Sequence, residues 1–196
     1  GEVGSGSMWR TDAPGAHGVT PPTSAADQWK AGIQLVTPGY FEVLGVPILR
    51  GRAFAPSDRF SEQALANRDL PRPPGVAIIN EAMARRYWPS SDPLGSTIFL
   101  FDDKSFAAYR TVVGVVRDVR SASVDSTAVP TVYLPFAQNS GQGLSLILRS
   151  DLASSDLVAP VVARLRAFDP AINIANVRPF ADVFDANVPD QGVWIV

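Results

Sequence analysis

The apolar residues of this chain fall in short runs that end at proline or glycine, and this pattern keeps every predicted element short. The longest tight run, residues 112–116, contains Gly114 and is typical of a buried strand. Seventeen prolines and fifteen glycines in 196 residues predict many turns and loops. No run approaches the roughly 20 apolar residues that a membrane-spanning helix needs. We therefore expect many short strands and short helices.

The strongest local signals surround Asn80. Residues 76–79 predict a strand, and Asn80 is a good N-cap for a helix over residues 81–88, which Pro89 ends. Further upstream, Thr37-Pro38 predicts the start of a short helix that ends at Gly45. The remaining extended segments are predicted over residues 33–36, 46–49, 97–101, 110–116 and 131–134, with 97–101 and 110–116 as a candidate hairpin joined through residues 102–104.

The C-terminal third predicts a strand, a helix and a second strand. Residues 144–149 read as the first strand, and Ser155 is the predicted N-cap of the helix. Leu157, Val161, Leu165 and Phe168 recur at helical spacing and predict one apolar stripe. Ile172, Ile174 and Val177 predict the return strand, so the segment indicates a right-handed βαβ unit.

These signals favour an α+β fold, a mixture of α and β elements, with two lobes. Residues 1–32 show no convincing period and are expected to be a loop segment or linker, with at most one short strand. Residues 33–140 form the strand-rich lobe, and residues 141–188 form the βαβ lobe. Residues 189–196 are expected to be an apolar C-terminal stub. Within the first lobe, residues 59–75 predict a mobile loop that folding does not need, because they are rich in proline and charge.

Composition excludes several kinds of chemistry. The chain has no cysteine, so it has no disulfide, thiolate nucleophile or cysteine-bound zinc. His17 is the only histidine and lies in a Gly/Ala/Pro segment, which makes it a poor catalytic base. The sequence contains no phosphate-binding loop, dinucleotide fingerprint or serine nucleophile elbow. A net charge of −2 gives no basic field for nucleic acid. We expect no catalytic, cofactor-binding or metal-binding residue.

Three ordered segments carry a family resemblance. Residues 36–54 read VTPGYFEVLGVPILRGRAF, residues 76–89 read VAIINEAMARRYWP and continue to Asp92-Pro93-Leu94-Gly95, and residues 111–120 read TVVGVVRDVR, with VYLPF after them. Together they resemble the MacB-like periplasmic core domain of MacB/FtsX-type ABC transporter permeases. They are most similar to the large duplicated orphan permeases of Acidobacteria and related bacteria. The resemblance covers roughly residues 33–185.

The resemblance implies a setting for the chain. Such domains lie outside the cytoplasmic membrane and are joined to the transmembrane helices of the parent permease. The domain would be non-catalytic and would couple ATP hydrolysis by a separate cytoplasmic subunit to a periplasmic protein or substrate. It also allows a dimer in the full transporter. By the same resemblance, residues 33–140 would be the insertion (sabre-like) lobe, residues 141–188 the porter-like lobe, and residues 189–196 the lead toward a membrane helix. The family's strand and helix before the VTPGYF-like segment are missing from the sequence pattern here.

The candidate functional residues are the aromatic and basic side chains of the first two segments: Tyr40, Phe41, Arg85, Arg86, Tyr87 and Trp88. We expect the aromatic ones to pack in the core or at a lobe junction, with contact to a partner as the alternative. For Trp88 the alternatives are a buried anchor at the end of its helix and an exposed binding hot spot. Arg50, Arg52, Arg85 and Arg86 are expected to pair with the carboxylates of Asp58, Glu81, Asp92 or Asp118.

Two other classes of protein stay open on sequence grounds. One is a stand-alone soluble module that binds carbohydrate or peptide. The other is a hydrolase that uses paired acidic residues, although no pair of acids stands out in the sequence. Apolar stretches of about 20 residues close to this segment in the parent reading frame would favour the permease.

Overall fold

A computed structural model describes residues 4–11, 29–61, 74–101, 108–119, 128–138, 146–174, 177–179 and 193–195. The chain forms two compact units. The larger, which we call the barrel unit, comprises Val3–Phe41 and Val46–Ser140. The smaller, which we call the C-terminal unit, comprises Gly1–Glu2, Glu42–Gly45 and Gly141–Val196. His17 and residues 62–73, 102–104 and 189–192 lie outside the described residues, as do the predictions made for them.

The first two thirds of the chain contain seven strands and two short helices. The strands are β1 (Gly4–Thr11), β2 (Trp29–Val36), β3 (Ile48–Gly51), β4 (Gly75–Asn80), β5 (Thr97–Phe101), β6 (Ala108–Val116) and β7 (Thr131–Pro135). The helices are α1 (Tyr40–Val43) and α2 (Glu81–Tyr87), and a 3₁₀ turn (Phe136–Gln138) follows β7. The predicted strand–helix pair around Asn80 and the β5–β6 hairpin are confirmed.

The sheet of the barrel unit closes on itself. Its strand order is β3-β6-β4-β7-β2-β1-β5, and β5 also pairs with β6. All strands except β3 therefore form a closed ring of six. β3 pairs with the C-terminal half of β6, and β5 pairs with its N-terminal half. The β4–β6 and β2–β7 pairs are parallel, and the other pairs of the ring are antiparallel. Closure removes the exposed strand edges that would otherwise invite pairing with other chains.

One face of these strands forms the barrel interior, because alternate residues of a strand point to the same side. The buried apolar residues there are Ala31, Ala77, Ile79, Met83, Trp88, Ile98, Leu100, Val112, Val115, Val132 and Leu134. Val112 and Val115 would point to opposite faces of a regular strand. A bulge in β6 lets both point inward. Ala77 pairs with Val112 and Ile78 pairs with Gly114, so Val113 is skipped in the register and the alternation shifts by one residue.

The outer face of the same strands carries a second apolar cluster. It contains Val36, Phe41, Phe54, Ile78, Val116 and Tyr133. Phe41 packs edge-on against Tyr133, with ring centroids 4.9 Å apart. The segment that resembles the family around Tyr40 and Phe41 therefore covers the outside of the barrel wall.

The C-terminal unit contains β8 (Leu146–Leu148), α3 (Ser154–Phe168), β9 (Val177–Pro179) and β10 (Val193–Ile195). The strands are parallel in the order β8-β10-β9. The predicted strand–helix–strand sequence is confirmed, but its two strands are not neighbours, because β10 lies between them.

Both ends of the chain differ from expectation. The segment over residues 189–196 was expected to be a stub, but Val193–Ile195 is the central strand of the sheet, a position that favours apolar runs. Residues 1–32 were expected to be loop or linker, yet they contain β1 and the start of β2. The sequence of β1 does not predict a strand, because it begins Gly-Ser-Gly-Ser and glycine is uncommon in strands. Backbone pairing with β2 on one side and β5 on the other holds it in place.

Two local predictions were also wrong. The N-cap of α3 is Ala153, with no side-chain hydrogen bond, and not Ser155. The helix predicted to start at Thr37-Pro38 begins at Tyr40, after a turn in which the Tyr40 N–H donates to the Thr37 carbonyl. Phe168, the last residue of the predicted stripe, lies in α3 and is 87% exposed. Within the described part of the chain, no helix has the length and apolarity to cross a membrane.

Candidate functional site

Asn80 fixes the start of α2 against the barrel wall. Its side-chain oxygen accepts hydrogen bonds from the N–H of Met83 (3.0 Å) and the N–H of Thr131 (2.9 Å). Its side-chain NH₂ donates to the carbonyl of Val129 at 2.9 Å. The predicted N-cap is confirmed, and the same buried side chain ties the helix to β7.

Asp118 holds the first turn of α2 from the other side. One carboxylate oxygen accepts from the Ala82 N–H at 2.8 Å, and the other accepts from the Arg85 guanidinium at 2.7 Å. In return, the Asp118 N–H donates to the Glu81 carboxylate at 3.3 Å. Arg85 also lies 3.8 Å from Glu81. This arrangement fixes the direction in which the helix leaves the sheet.

The predicted arginine–carboxylate pairs are largely confirmed. Arg85 pairs with Asp118 and Glu81, Arg52 with Asp58, and Arg50 with Asp92. The side chain of Arg85 is 64% exposed, whereas that of Asp118 is 17% exposed. The guanidinium of Arg85 therefore lies closer to solvent than the carboxylate with which it pairs. Arg86 makes no salt bridge among the described residues; its guanidinium lies over the Tyr87 ring, 5.5 Å from the centroid.

Trp88 and Tyr87 attach the C-terminal end of α2 in two ways. Trp88 is 4% exposed, packs in the barrel interior with Met83, and donates from Nε1 to the Ser96 hydroxyl at 3.2 Å. Tyr87 is half-buried; its hydroxyl accepts from the Lys30 N–H (3.1 Å) and donates to the Lys30 carbonyl (2.9 Å). The burial that the anchor interpretation of Trp88 requires is present, and its effect on stability stays a prediction.

Tyr40 and Phe41 occupy a different place. Both pack in the outer cluster, where their rings meet edge to face with centroids 5.3 Å apart. Burial raises the pKa of Tyr40 to about 12, against a smaller lowering by its hydrogen bond with Gln34. Burial also raises the pKa of Tyr133, and nearby Tyr40 and Asp118 add to the shift. Both phenols are therefore neutral at any physiological pH and serve packing in the outer cluster.

Arg110 is the principal buried charge that the sequence analysis missed. It lies on β6 opposite Ile98, so it faces the barrel interior, and it is 1% exposed. It donates to the Tyr109 carbonyl at 3.2 Å and lies over the Phe60 ring, 5.7 Å from the centroid. A Cβ on Gly75 would collide with Gln138 and lie 2.6 Å from an Arg110 nitrogen. One sequence signal could have indicated that Arg110 is buried. It lies two residues before Val112 in the same strand, and residues two apart in a strand point to the same face.

The candidate residues thus form two separate groups and no catalytic constellation. Arg85, Arg86, Tyr87 and Trp88 lie on or next to α2, whereas Tyr40 and Phe41 lie in the outer cluster. Among the described residues, no group of three or more His, Cys, Asp or Glu side chains could hold a metal ion.

Comparison with known families defines the class of protein. The family model described as "MacB-like periplasmic core domain" matches residues 7–168. The chain belongs to this family, and it is a periplasmic-side domain of an ABC-type transporter permease. The resemblance read from the three segments is confirmed, although the match begins and ends earlier than residues 33–185.

A solved structure shows the same fold. The crystal structure of the periplasmic region of MacB from Actinobacillus actinomycetemcomitans matches with 17% identity, 84% coverage of this chain and a TM-score of 0.51. The match spans 63% of that structure, which is less than two thirds of its length.

Two further structures match at lower similarity. The extracellular domain of the noncanonic ABC-type transporter YknZ from Gram-positive bacteria matches with 17% identity, 67% and 50% coverage of the two chains, and a TM-score of 0.39. A permease protein domain from Porphyromonas gingivalis matches with 17% identity, 84% and 66% coverage, and a TM-score of 0.45. Among curated proteins, none matches.

Proposed function

We propose that this domain is a non-catalytic module that transmits movement within its permease. It would couple ATP hydrolysis by a cytoplasmic subunit to a periplasmic substrate or partner. The observation that carries this proposal is the closed, filled barrel. Five of its strands and α2 contribute side chains to one interior cluster. A close-packed interior is hardly compressible, so such a unit moves as one rigid piece and passes on a displacement applied to it.

We further propose a division of roles between the units and among the candidate residues. The barrel unit would be the insertion lobe, and the C-terminal unit the porter-like lobe. Tyr40, Phe41 and Trp88 would serve packing, since all three lie in the two apolar clusters or against them. Arg85 and Tyr87 would hold α2 in place, because their side chains are engaged by Asp118 and the Lys30 backbone. Arg86 is left as the exposed arginine of the set that makes no salt bridge among the described residues.

The test uses the complete permease with its ATP-binding subunit in nanodiscs. The chain has no cysteine, so Arg86→Cys introduces a single labelling site in this domain. A spin label there, paired with one on the transmembrane part, should report a distance change of at least about 2 Å when ATP is added. A control pair within the barrel unit, Arg59→Cys with Arg86→Cys, should keep its distance, because the barrel moves as one piece.

Two results would count against the proposal. One is ATP turnover without any change in the distance between the domain and the membrane part. The other is a change within the barrel pair as large as that of the first pair. The non-catalytic part is tested separately, because ATP hydrolysis by the isolated chain would contradict it.

A further inference from the structure

The segment that follows β3 crosses the barrel without forming a helix or a strand. We call its residues 52–60 the clasp. The clasp begins in close contact with β6, where the Arg52 N–H donates to the Val113 carbonyl at 2.9 Å. A Cβ on Gly114 would collide with the Arg52 carbonyl. The missing side chain at Gly114 therefore lets the start of the clasp lie directly on the strand.

Two buried phenylalanines attach the clasp at two different places. Phe54 is 7% exposed and packs in the outer cluster. Phe60 is also 7% exposed, and its ring centroid lies 5.7 Å from the guanidinium carbon of Arg110, which faces the barrel interior. Because the ring of strands is closed, a chain that leads from the outer face to an inward-facing side chain must pass around an end of the barrel.

That end is the one at which β4 begins. Gly75, the first residue of β4, pairs with Arg110, and a Cβ on Gly75 would lie 2.6 Å from an Arg110 nitrogen and collide with Gln138. Gln138 is 3% exposed, and its side-chain oxygen accepts from the Val76 N–H at 3.0 Å. Arg110 and Gln138 thus fill the space that a side chain at position 75 would occupy, and Phe60 lies over the Arg110 cation.

An ion pair closes the clasp on itself between the two phenylalanines. Arg52 donates two hydrogen bonds to Asp58, of 2.6 and 2.9 Å. The Asp58 carboxylate accepts from the Ala55 N–H, and the Asp58 N–H donates to the Ala55 carbonyl, both at 2.9 Å. The backbone hydrogen bonds described for residues 53–60 are thus made within the clasp. A segment with so few backbone bonds to its surroundings opens at a lower free energy than the sheet on which it lies.

We propose that the clasp is a conformational device that holds this end of the barrel closed over Arg110 and opens while the ring of strands stays folded. Phe60 is the part that detaches, since the Arg52 backbone and Phe54 keep the other end on the barrel wall. The Arg52–Asp58 pair keeps the turn between them in the shape that places Phe60. Opening uncovers the guanidinium of Arg110. Access to the barrel interior is thereby a movement separate from that of the whole domain.

Arginine-specific chemical modification tests the proposal. The folded chain is treated with phenylglyoxal, and peptide mass spectrometry gives the modification rate of each arginine. Arg110 should react slowly in the wild type, because it is 1% exposed. Phe60→Ala should raise its rate about 10-fold or more, since the closed state loses a buried aromatic side chain. Asp58→Asn, which breaks the ion pair and removes no apolar group, should raise the rate about 3- to 5-fold.

Urea separates opening of the clasp from unfolding of the chain. Opening exposes little surface, so urea below the unfolding transition should hardly change the Arg110 rate in Phe60→Ala. Phe60→Leu, which keeps an apolar side chain, should return the rate toward that of the wild type. If Phe60→Ala does not fold, Asp58→Asn and Phe60→Leu carry the test. A rate that rises steeply with urea in each variant would show that Arg110 is uncovered only by global unfolding, and would overturn the proposal.

Two matched variants lie outside the clasp. Phe41→Ala removes an equally buried ring from the outer cluster, and Asp92→Asn breaks the ion pair with Arg50. Both should leave the Arg110 rate within about 2-fold of the wild type in the absence of urea. A rise as large as that of the corresponding clasp variant would contradict the assignment. These measurements need no permease, so a negative result leaves the proposed transmission function standing.

Discussion

The two units of this chain use similar apolar residues and reach very different degrees of burial. Every buried residue that the structure describes lies in the barrel unit, including Ile78, Ile79 and Val116 at 0% exposure. In the C-terminal unit, the described apolar residues of β8 and of the α3 stripe are only half-buried or exposed. Composition alone therefore does not decide how well an apolar side chain is covered.

The difference follows from sheet closure. In the barrel, each strand of the ring has a neighbour on both sides, and the interior face is enclosed by the strands themselves. In the C-terminal unit, β8 and β9 each pair on one side only among the described residues. A parallel sheet normally needs cover on both faces, and three short strands enclose little volume. The stability of the folded chain should therefore reside mainly in the barrel unit.

The largest predicted effect is the loss of the Trp88 side chain from the barrel interior. Trp88→Ala leaves a large cavity and removes the hydrogen bond to Ser96, so it should lower the free energy of unfolding by about 3–5 kcal/mol. Urea unfolding followed by circular dichroism measures the change. Trp88→Phe, which keeps most of the ring volume, should restore most of the loss. An unchanged unfolding midpoint in Trp88→Ala would show that the barrel core does not dominate stability.

Gly51 should be the next most sensitive position, with Gly39 as its matched control. Both have positive φ, 72° and 92°, so alanine is strained at either one. A Cβ on Gly51 would also collide with the Val113 carbonyl, whereas one on Gly39 would meet nothing within 4 Å. Gly51→Ala should cost about 2–4 kcal/mol and Gly39→Ala about 1 kcal/mol. Equal costs in thermal unfolding would mean that the close approach of β3 to β6 is not a real constraint.

Sequence reasoning predicted those parts of the fold whose signals are local. The helix after Asn80 could be predicted, because an N-cap and the turn that it stabilises lie within three residues of each other. The arginine pairs could be anticipated only as a set, because the sequence gives the charged residues but not which of them meet in the fold. The family resemblance then supplied the class of protein, which short-range patterns could not.

The parts that sequence reasoning missed depend on distant partners. Val193–Ile195 becomes a central strand only because β8 and β9 lie on either side of it, and nothing within those three residues specifies them. Gly4–Thr11 is held by pairing with β2 and with β5, the latter more than 80 residues away along the chain. Phe168 fits the periodic stripe of α3 but is 87% exposed, because periodicity does not reveal which side chains a neighbouring element covers.

The Arg52–Asp58 pair tests whether surface contacts of the barrel unit matter beside its core. The two side chains make two hydrogen bonds, of 2.6 and 2.9 Å, and Asp58 also accepts from the Ala55 N–H. The Arg52 guanidinium holds the pKa of Asp58 below its ordinary value, and the Ala55 N–H adds to this. At neutral pH, Asp58→Asn should therefore cost up to about 1 kcal/mol.

The sign of the pH dependence follows from the lowered pKa of Asp58. Its contribution is fully present above the ordinary aspartate pKa of about 3.9 and is lost as pH falls through the lower, folded-state value. The stabilities of wild type and Asp58→Asn should therefore converge near about pH 2 in urea unfolding experiments. Asp92→Asn is the control, since the Arg50–Asp92 pair is about half exposed at both side chains and should matter less. A gap between wild type and Asp58→Asn that widens on acidification would contradict the assignment.

The smallest effect is expected at Phe168, in the less buried unit. Its side chain is 87% exposed, so truncation removes almost no packing, and Phe168→Ala should change the free energy of unfolding by less than about 0.5 kcal/mol. The reference substitution is Leu157→Ala on the same stripe, which is half-buried and should cost more. Amide hydrogen exchange across α3 reports both changes locally, because global unfolding would be governed by the barrel unit. If Phe168→Ala accelerated exchange throughout α3 as much as Leu157→Ala does, Phe168 would be part of the packing of its own unit.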